Sequence, residues 1–173
     1  DQGNLIVISG PSGVGKGTIR AALMAKMPEL SLSVSVTTRK PRSGEVEGVD
    51  YFFVSEEQFK EMIAADEFLE YASVYGNLYG TPKKFVYQEI EKGRDVILEI
   101  DIQGAQKVKS KMPGALFIFI MPPSVEELAR RLNARGQDTN KAIERRLAEC
   151  QHEMAQVKHY DYVVVNDDVE TAV

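Results

Sequence analysis

Leu5-Ile6-Val7-Ile8-Ser9-Gly10-Pro11-Ser12-Gly13-Val14-Gly15-Lys16-Gly17-Thr18 decides how the rest of the chain reads. An apolar run of strand type leads into a glycine-rich turn and then into a segment of helical spacing. Gly10, Gly13 and Gly15 can adopt backbone conformations closed to other residues, so successive N–H groups can turn inward on an anion at the start of a helix. Lys16 adds a mobile full charge where the β- and γ-phosphates of a nucleotide lie in such loops. The pattern G-x-x-x-x-G-K-[ST] is met except at its last position, where Gly17 stands and Thr18 follows one step later. Without that hydroxyl, Mg²⁺ is expected to be held through water and phosphate oxygens, with no direct protein ligand. A merely structural glycine turn is disfavoured by the strand before it and the helix after it. Alone, the loop specifies nucleotide phosphates and nothing finer.

Outward from the loop, the same alternation recurs. Leu5 to Ser9, Val96 to Ile100, Leu116 to Met121 and Tyr162 to Val165 are short apolar runs of the kind found in parallel strands buried on both faces. Between them, Ile19 to Met27, Gln103 to Met112, Val125 to Ala134 and Ala142 to Val157 have helical spacing. This predicts an α/β fold with a parallel sheet. Ser55-Glu56-Glu57-Gln58 and Ser124-Val125-Glu126-Glu127 read as capping boxes. Thr81-Pro82 reads as a cap before a first-turn proline, and Gly93 as the left-handed end of that helix. From about Ser33 to Tyr79 the pattern turns half-polar and β-prone, which predicts a small inserted sheet, antiparallel in character, able to close over a substrate.

Composition narrows the classes. The chain has 173 residues, 43% of them hydrophobic, enough for one domain with a sizeable core. A net charge of −5 argues against a general nucleic-acid or anionic-membrane binder. One cysteine, Cys150, rules out an internal disulfide and suits a reducing cytoplasm. No segment reaches the roughly 20 apolar residues that span a bilayer. The chain opens at Asp1 and stops at Val173, soon after a helical pattern begins at Val169, so trimmed ends and a shortened C-terminal helix are expected.

Ser35-Val36-Thr37-Thr38-Arg39-Lys40-Pro41-Arg42-Ser43-Gly44-Glu45 and Gly48-Val49-Asp50-Tyr51-Phe52-Phe53 resemble the GMP-binding signature of the guanylate kinases. The similarity continues through Gly76 to Thr81, Glu99 to Gly104 and Val165 to Asp168. It implies a three-layer P-loop kinase core (1–32, 82–124 and 147–173), a GMP-binding insertion at about 33–81 and a helical lid at about 125–146. The implied reaction is Mg²⁺-dependent transfer of the ATP γ-phosphoryl group to GMP, and to dGMP, giving ADP and the diphosphate. ATP and GMP or dGMP are the implied small-molecule partners, with neither nucleic acid nor membrane, and the sequence carries no signal for an oligomeric state.

The site residues divide by chemistry. Arg39 and Arg42 flank a stiffening proline, and two planar guanidiniums suit a phosphate dianion; two solvated loop arginines are the plain alternative. The resemblance adds the hydroxyls of Tyr51 and Tyr79 to that phosphate. Guanine presents N1–H and N2–H₂ donors on one edge, so its reader must be an acceptor. The resemblance places Glu70 there, with Ser35 and Thr81 beside the base; without it Glu70 is one of 26 acidic residues. Glu99 and Asp101 lie two apart at the end of a predicted strand, on one face, and the resemblance puts this region near the acceptor nucleoside and the hydrated metal. It also places Asn166 with the ATP-binding residues Gly10, Pro11, Ser12, Gly13, Val14, Gly15, Lys16, Gly17 and Thr18. Arg131, Arg135 and Arg146, flanking a Gly136-Gln137-Asp138 turn, suit a lid that brings charge to the transferring phosphoryl group, with Lys16 as the fourth catalytic cation. A salt-bridged surface is the competing reading of these arginines. A non-catalytic guanylate-kinase-like phosphopeptide module and a kinase for another small phosphate are the rival functions.

Overall fold

The computed structural model describes residues 1–11, 14–124, 126–127, 130, 144–145, 148, 152 and 155–173. Ser12, Gly13, Arg131, Arg135 and Arg146 lie outside the described residues, as do most of the two helices predicted after Ser124. In chain order the elements are β1 (Leu5–Ser9), α1 (Lys16–Lys26), β2 (Ser31–Leu32), β3 (Val36–Thr37), β4 (Phe52–Phe53) and α2 (Glu56–Ala64). Then follow β5 (Phe68–Val74), β6 (Asn77–Pro82), α3 (Lys83–Glu91), β7 (Val96–Glu99), α4 (Ile102–Lys111) and β8 (Leu116–Met121). A 3₁₀ turn (Ala155–His159), β9 (Tyr162–Val165) and α5 (Val169–Ala172) close the chain.

Five strands order as β2-β7-β1-β8-β9, and four as β4-β3-β6-β5. In the first sheet β1 pairs in parallel with β8, β2 with β7, and β8 with β9. Val7, Ile8, Val96, Ile97, Leu98, Phe117, Phe119 and Ile120 are buried in these strands, which is why β1, β7 and β8 read as continuous apolar runs. β9 departs from that expectation: Tyr162, Val163 and Val165 are exposed, because β9 is an edge strand and an apolar run reports β-propensity rather than depth. Residues 155–157, predicted α-helical, lie instead in the 3₁₀ turn.

The contacts of the chain divide it into two compact units. One comprises Asp1–Leu5, Leu30–Leu98 and Gln103–Ala115; the other Ile6–Glu29, Glu99–Ile102 and Leu116–Val173. The first holds the four-stranded sheet, which is mixed: β3 runs parallel to β4 and antiparallel to β6, and β5 antiparallel to β6. Its core is Val36, Phe59 and Phe68, with Val54, Met62, Ile63 and Leu78 packed around them. Phe59 stacks on Phe68 at 4.6 Å between ring centroids. The capping box predicted at Ser55 starts α2 and aims Phe59 inward, with both reciprocal bonds to Gln58 in place. α4 buries Ile102, Ala105 and Val108, three apart on one stripe. In the second unit β1 delivers the chain into the glycine-rich loop and α1. Among the described residues no helix is long and apolar enough to cross a membrane.

Candidate functional site

The glycine-rich loop is built on the end of β1. An added Cβ on Gly10 would lie 2.4 Å from the Ile120 carbonyl oxygen, so the loop leaves the sheet through a gap that only glycine fits. Gly15, at φ +93°, is the N-cap of α1 in the left-handed region and provides no side-chain cap. The first turn of α1 carries no acidic residue either, so neither an N-cap side chain nor an acidic one offsets the positive end of the helix. The Lys16 ammonium donates to the Gly10 carbonyl at 2.6 Å, placing its charge across the mouth of the loop. Asn166, buried at the end of β9, donates from Nδ2 to the Val14 carbonyl at 2.8 Å.

Of the two carboxylates after β7, the structure places Glu99 at this loop. Both its oxygens are 3.7 Å from where a Cβ on Gly17 would sit, and Arg20 of α1 donates to Oε1 at 3.0 Å. β7 ends at Glu99, so Asp101 lies beyond the strand, directly before α4, and the shared strand face predicted for the pair does not form. That alternation holds only while the backbone stays extended.

A second cluster of the residues singled out in the sequence is built on the mixed sheet. The register between β5 and β6 shifts between Phe68 and Glu70, so the bulged Leu69 brings Glu70 opposite Thr81. Glu70 is 5% exposed and Thr81 fully buried, and the Thr81 hydroxyl donates to Glu70 Oε1 at 2.8 Å. The sequence assigns Thr81 a capping place; here Pro82 holds the N-cap of α3 without any side-chain bond, and the Thr81 hydroxyl orients a carboxylate instead. Ser35 precedes β3, half-buried, and its carbonyl accepts from the Phe52 N–H at 2.9 Å.

Arg39, Tyr51 and Tyr79 come together. The Arg39 guanidinium lies 5.2 Å from the Tyr51 ring centroid, and the Tyr51 and Tyr79 rings meet edge-on at 6.1 Å. Glu45, which the sequence did not single out, grips the end of Arg39 through two bonds of 2.9 Å, and its Oε1 also accepts from the Arg42 N–H at 2.7 Å. The hydrogen bond to Glu45 raises the Arg39 pKa, with Tyr79 acting in the same direction. The hydrogen bond from Arg39 lowers the Glu45 carboxyl from 4.5 to about 2. Thr37 and Thr38 anchor the loop's root. The Thr37 hydroxyl donates to the Leu78 carbonyl and accepts from the Arg39 N–H, and the Thr38 hydroxyl accepts from the Leu78 N–H. Farther round, Asp50 accepts from the Val46 N–H and Glu47 from the Phe53 N–H. The Arg42 residue itself is exposed.

A depressed carboxyl pKa makes the Glu45–Arg39 pair a source of stability that is complete above pH 4.5 and lost as the pH falls through about 2. Side-chain exposures of 12% for Arg39 and 20% for Glu45 put it between surface and buried pairs. Glu45→Gln is therefore expected to lower the melting midpoint at pH 7 by about 2–4 °C, for roughly 1 kcal/mol lost. The gap to the parent should close as thermal scans move from pH 4.5 towards 2; a gap independent of pH would assign it to packing.

A family model described as guanylate kinase matches residues 2–173. The chain is 58% identical over 171 residues to a guanylate kinase from Syntrophomonas wolfei, covering 99% of this chain and 88% of that protein. It is likewise 58% identical over 172 residues to a guanylate kinase from Caldanaerobacter subterraneus, covering 99% and 84%. Its fold matches the crystal structure of guanylate kinase from Anaplasma phagocytophilum with a TM-score of 0.82 at 41% identity, covering 99% of this chain and 81% of that one. With a family model matching residues 2–173 and identity running the length of the chain, the chain belongs to the guanylate kinase family.

Proposed function

We propose that this chain transfers the γ-phosphoryl group of ATP to GMP, and to dGMP, yielding ADP and the nucleoside diphosphate. The observation that carries the acceptor assignment is the buried Glu70 carboxylate held by Thr81. Only an acceptor answers the N1–H and N2–H₂ edge of guanine, and a carboxylate carries two acceptor oxygens and no donor. Arg39, Arg42, Tyr51 and Tyr79 take the acceptor phosphate, with Glu45 fixing the direction of Arg39. Ser35 completes the nucleoside contacts of that unit.

On the donor side Gly10 to Thr18 enclose the triphosphate and Lys16 follows its β- and γ-oxygens. The residues present fit a hydrated Mg²⁺: one carboxylate, Glu99, stands beside Gly17 and is steadied by Arg20. When bound, the ion screens charge on the phosphoryl oxygens. Glu99, steadied by Arg20, would hold the hydrated ion through its waters. The phosphoryl group moves in line to a GMP phosphate oxygen that is already ionised at neutral pH, so no side-chain base is needed. Arg131, Arg135 and Arg146 bring charge to the equatorial oxygens and exclude water. The insertion 33–81 and the lid 125–146 are the two segments assigned to acceptor and closure. The acidic net charge and single cysteine fit an enzyme of the cytoplasm.

ADP release in the presence of ATP, Mg²⁺ and each of GMP, dGMP, AMP and UMP tests the reading. Turnover with GMP and dGMP is expected, and none above the ATP-only rate with AMP or UMP. Turnover on AMP but not GMP would end the base assignment, and silence with all four would leave the phosphopeptide module.

A further inference from the structure

From the geometry behind the phosphate loop we infer that Asn166 is a positioning residue for the donor phosphates, and not a reader of the adenine base. The inference rests on the kinase reading above but concerns one peptide group. Asn166 is 4% exposed and follows β9, and its own N–H is tied to the Met121 carbonyl at the end of β8 at 2.8 Å. From that fixed base Nδ2 reaches 152 residues back along the chain to the Val14 carbonyl at 2.8 Å. The Val14 carbonyl and the Gly15 N–H belong to one planar trans peptide and point in opposite directions. Holding the carbonyl towards Asn166 therefore turns the Gly15 N–H the opposite way, to the side that the kinase reading gives to the phosphates.

Gly15 shows how close the fit is. A Cβ there would lie 2.7 Å from Asn166 Nδ2, so the carboxamide occupies the space a side chain would need. Gly15 is thereby required twice, for its φ of +93° and for the access of Asn166. The side chain that reaches Val14 is buried behind the loop, which is a place for a strap and not for a base contact.

Asn166→Asp keeps the shape and replaces the donating NH₂ by an acceptor that faces the Val14 carbonyl. Calorimetric titration of the full chain with Mg-ATP and with Mg-tripolyphosphate, which has no base, separates the two roles. Both dissociation constants should rise about tenfold in the variant, while the KM for GMP stays within twofold of the parent. In ligand-free protein the Gly15 amide resonance should shift, with that of Gly80 unmoved. Weaker ATP binding with unchanged tripolyphosphate binding would make Asn166 a base reader and overturn the inference, as would no change in either. Should the Asp variant not fold, Asn166→Ser is judged on the same comparison. Parent protein that fails to phosphorylate GMP would sink the kinase reading, yet the tripolyphosphate result would still decide the strap.

Discussion

Lys16→Met is expected to lower kcat for GMP phosphorylation on the order of 10³-fold, with the KM for GMP within twofold of the parent. The side chain is linear and of similar bulk, so the change removes charge more than volume. Lys16 places its ammonium 2.6 Å from the Gly10 carbonyl, across the loop from its own backbone. In the proposed transfer, negative charge accumulates on the γ-phosphoryl oxygens as that group loosens, and this ammonium is the cation assigned to them. Preorganised donors at such positions are worth about 10²–10³-fold each. Nothing else described within the loop carries positive charge, because Lys16 is followed in α1 by Gly17, Thr18 and Ile19. Single-turnover assays at saturating ATP make the measurement; a loss below tenfold would move the catalytic charge elsewhere.

Glu70→Gln is expected to reduce kcat/KM for GMP by about 10³-fold while leaving ATP binding unchanged. The replacement presents an NH₂ where guanine also presents donors, so an attractive contact becomes a repulsive one in a buried place. The Thr81 hydroxyl can still donate to the amide oxygen, and the bulge that sets Glu70 opposite Thr81 is a backbone feature, so the sheet is retained. Steady-state kinetics with GMP and with inosine monophosphate separate binding from selection: the latter lacks the N2 donors and should lose much less. Equal losses on both would show that Glu70 holds the sheet together and does not read the base.

Much of the core was legible because it depends on short-range patterns. The spans of β1, β8 and β9 coincide with the apolar runs, and the Ser55 box and the left-handed Gly93 start and end helices where local chemistry requires them. The acceptor side was legible through its motif more than through its physics. β6 had no apolar alternation to announce it, since Gly80 sits where a Cβ would meet the Phe68 ring at 2.6 Å. That strand exists because of a ring arriving from β5, a tertiary fact. The Leu69 bulge and the Thr81–Glu70 bond are likewise consequences of pairing between strands. Glu45 was one carboxylate among many until the turn between β3 and β4 folded it back onto Arg39. Asn166 drew notice for its place in a motif, but its partner lies at the other end of the chain.

The segment between β3 and β4 supplies its own anions: Glu45 and Asp50 each accept from a backbone amide of the same loop, and Glu47 from the Phe53 amide of β4. A mononucleotide bound there, as proposed, would meet a coil whose freedom was surrendered when the domain folded. Little ordering entropy remains to be set against its affinity.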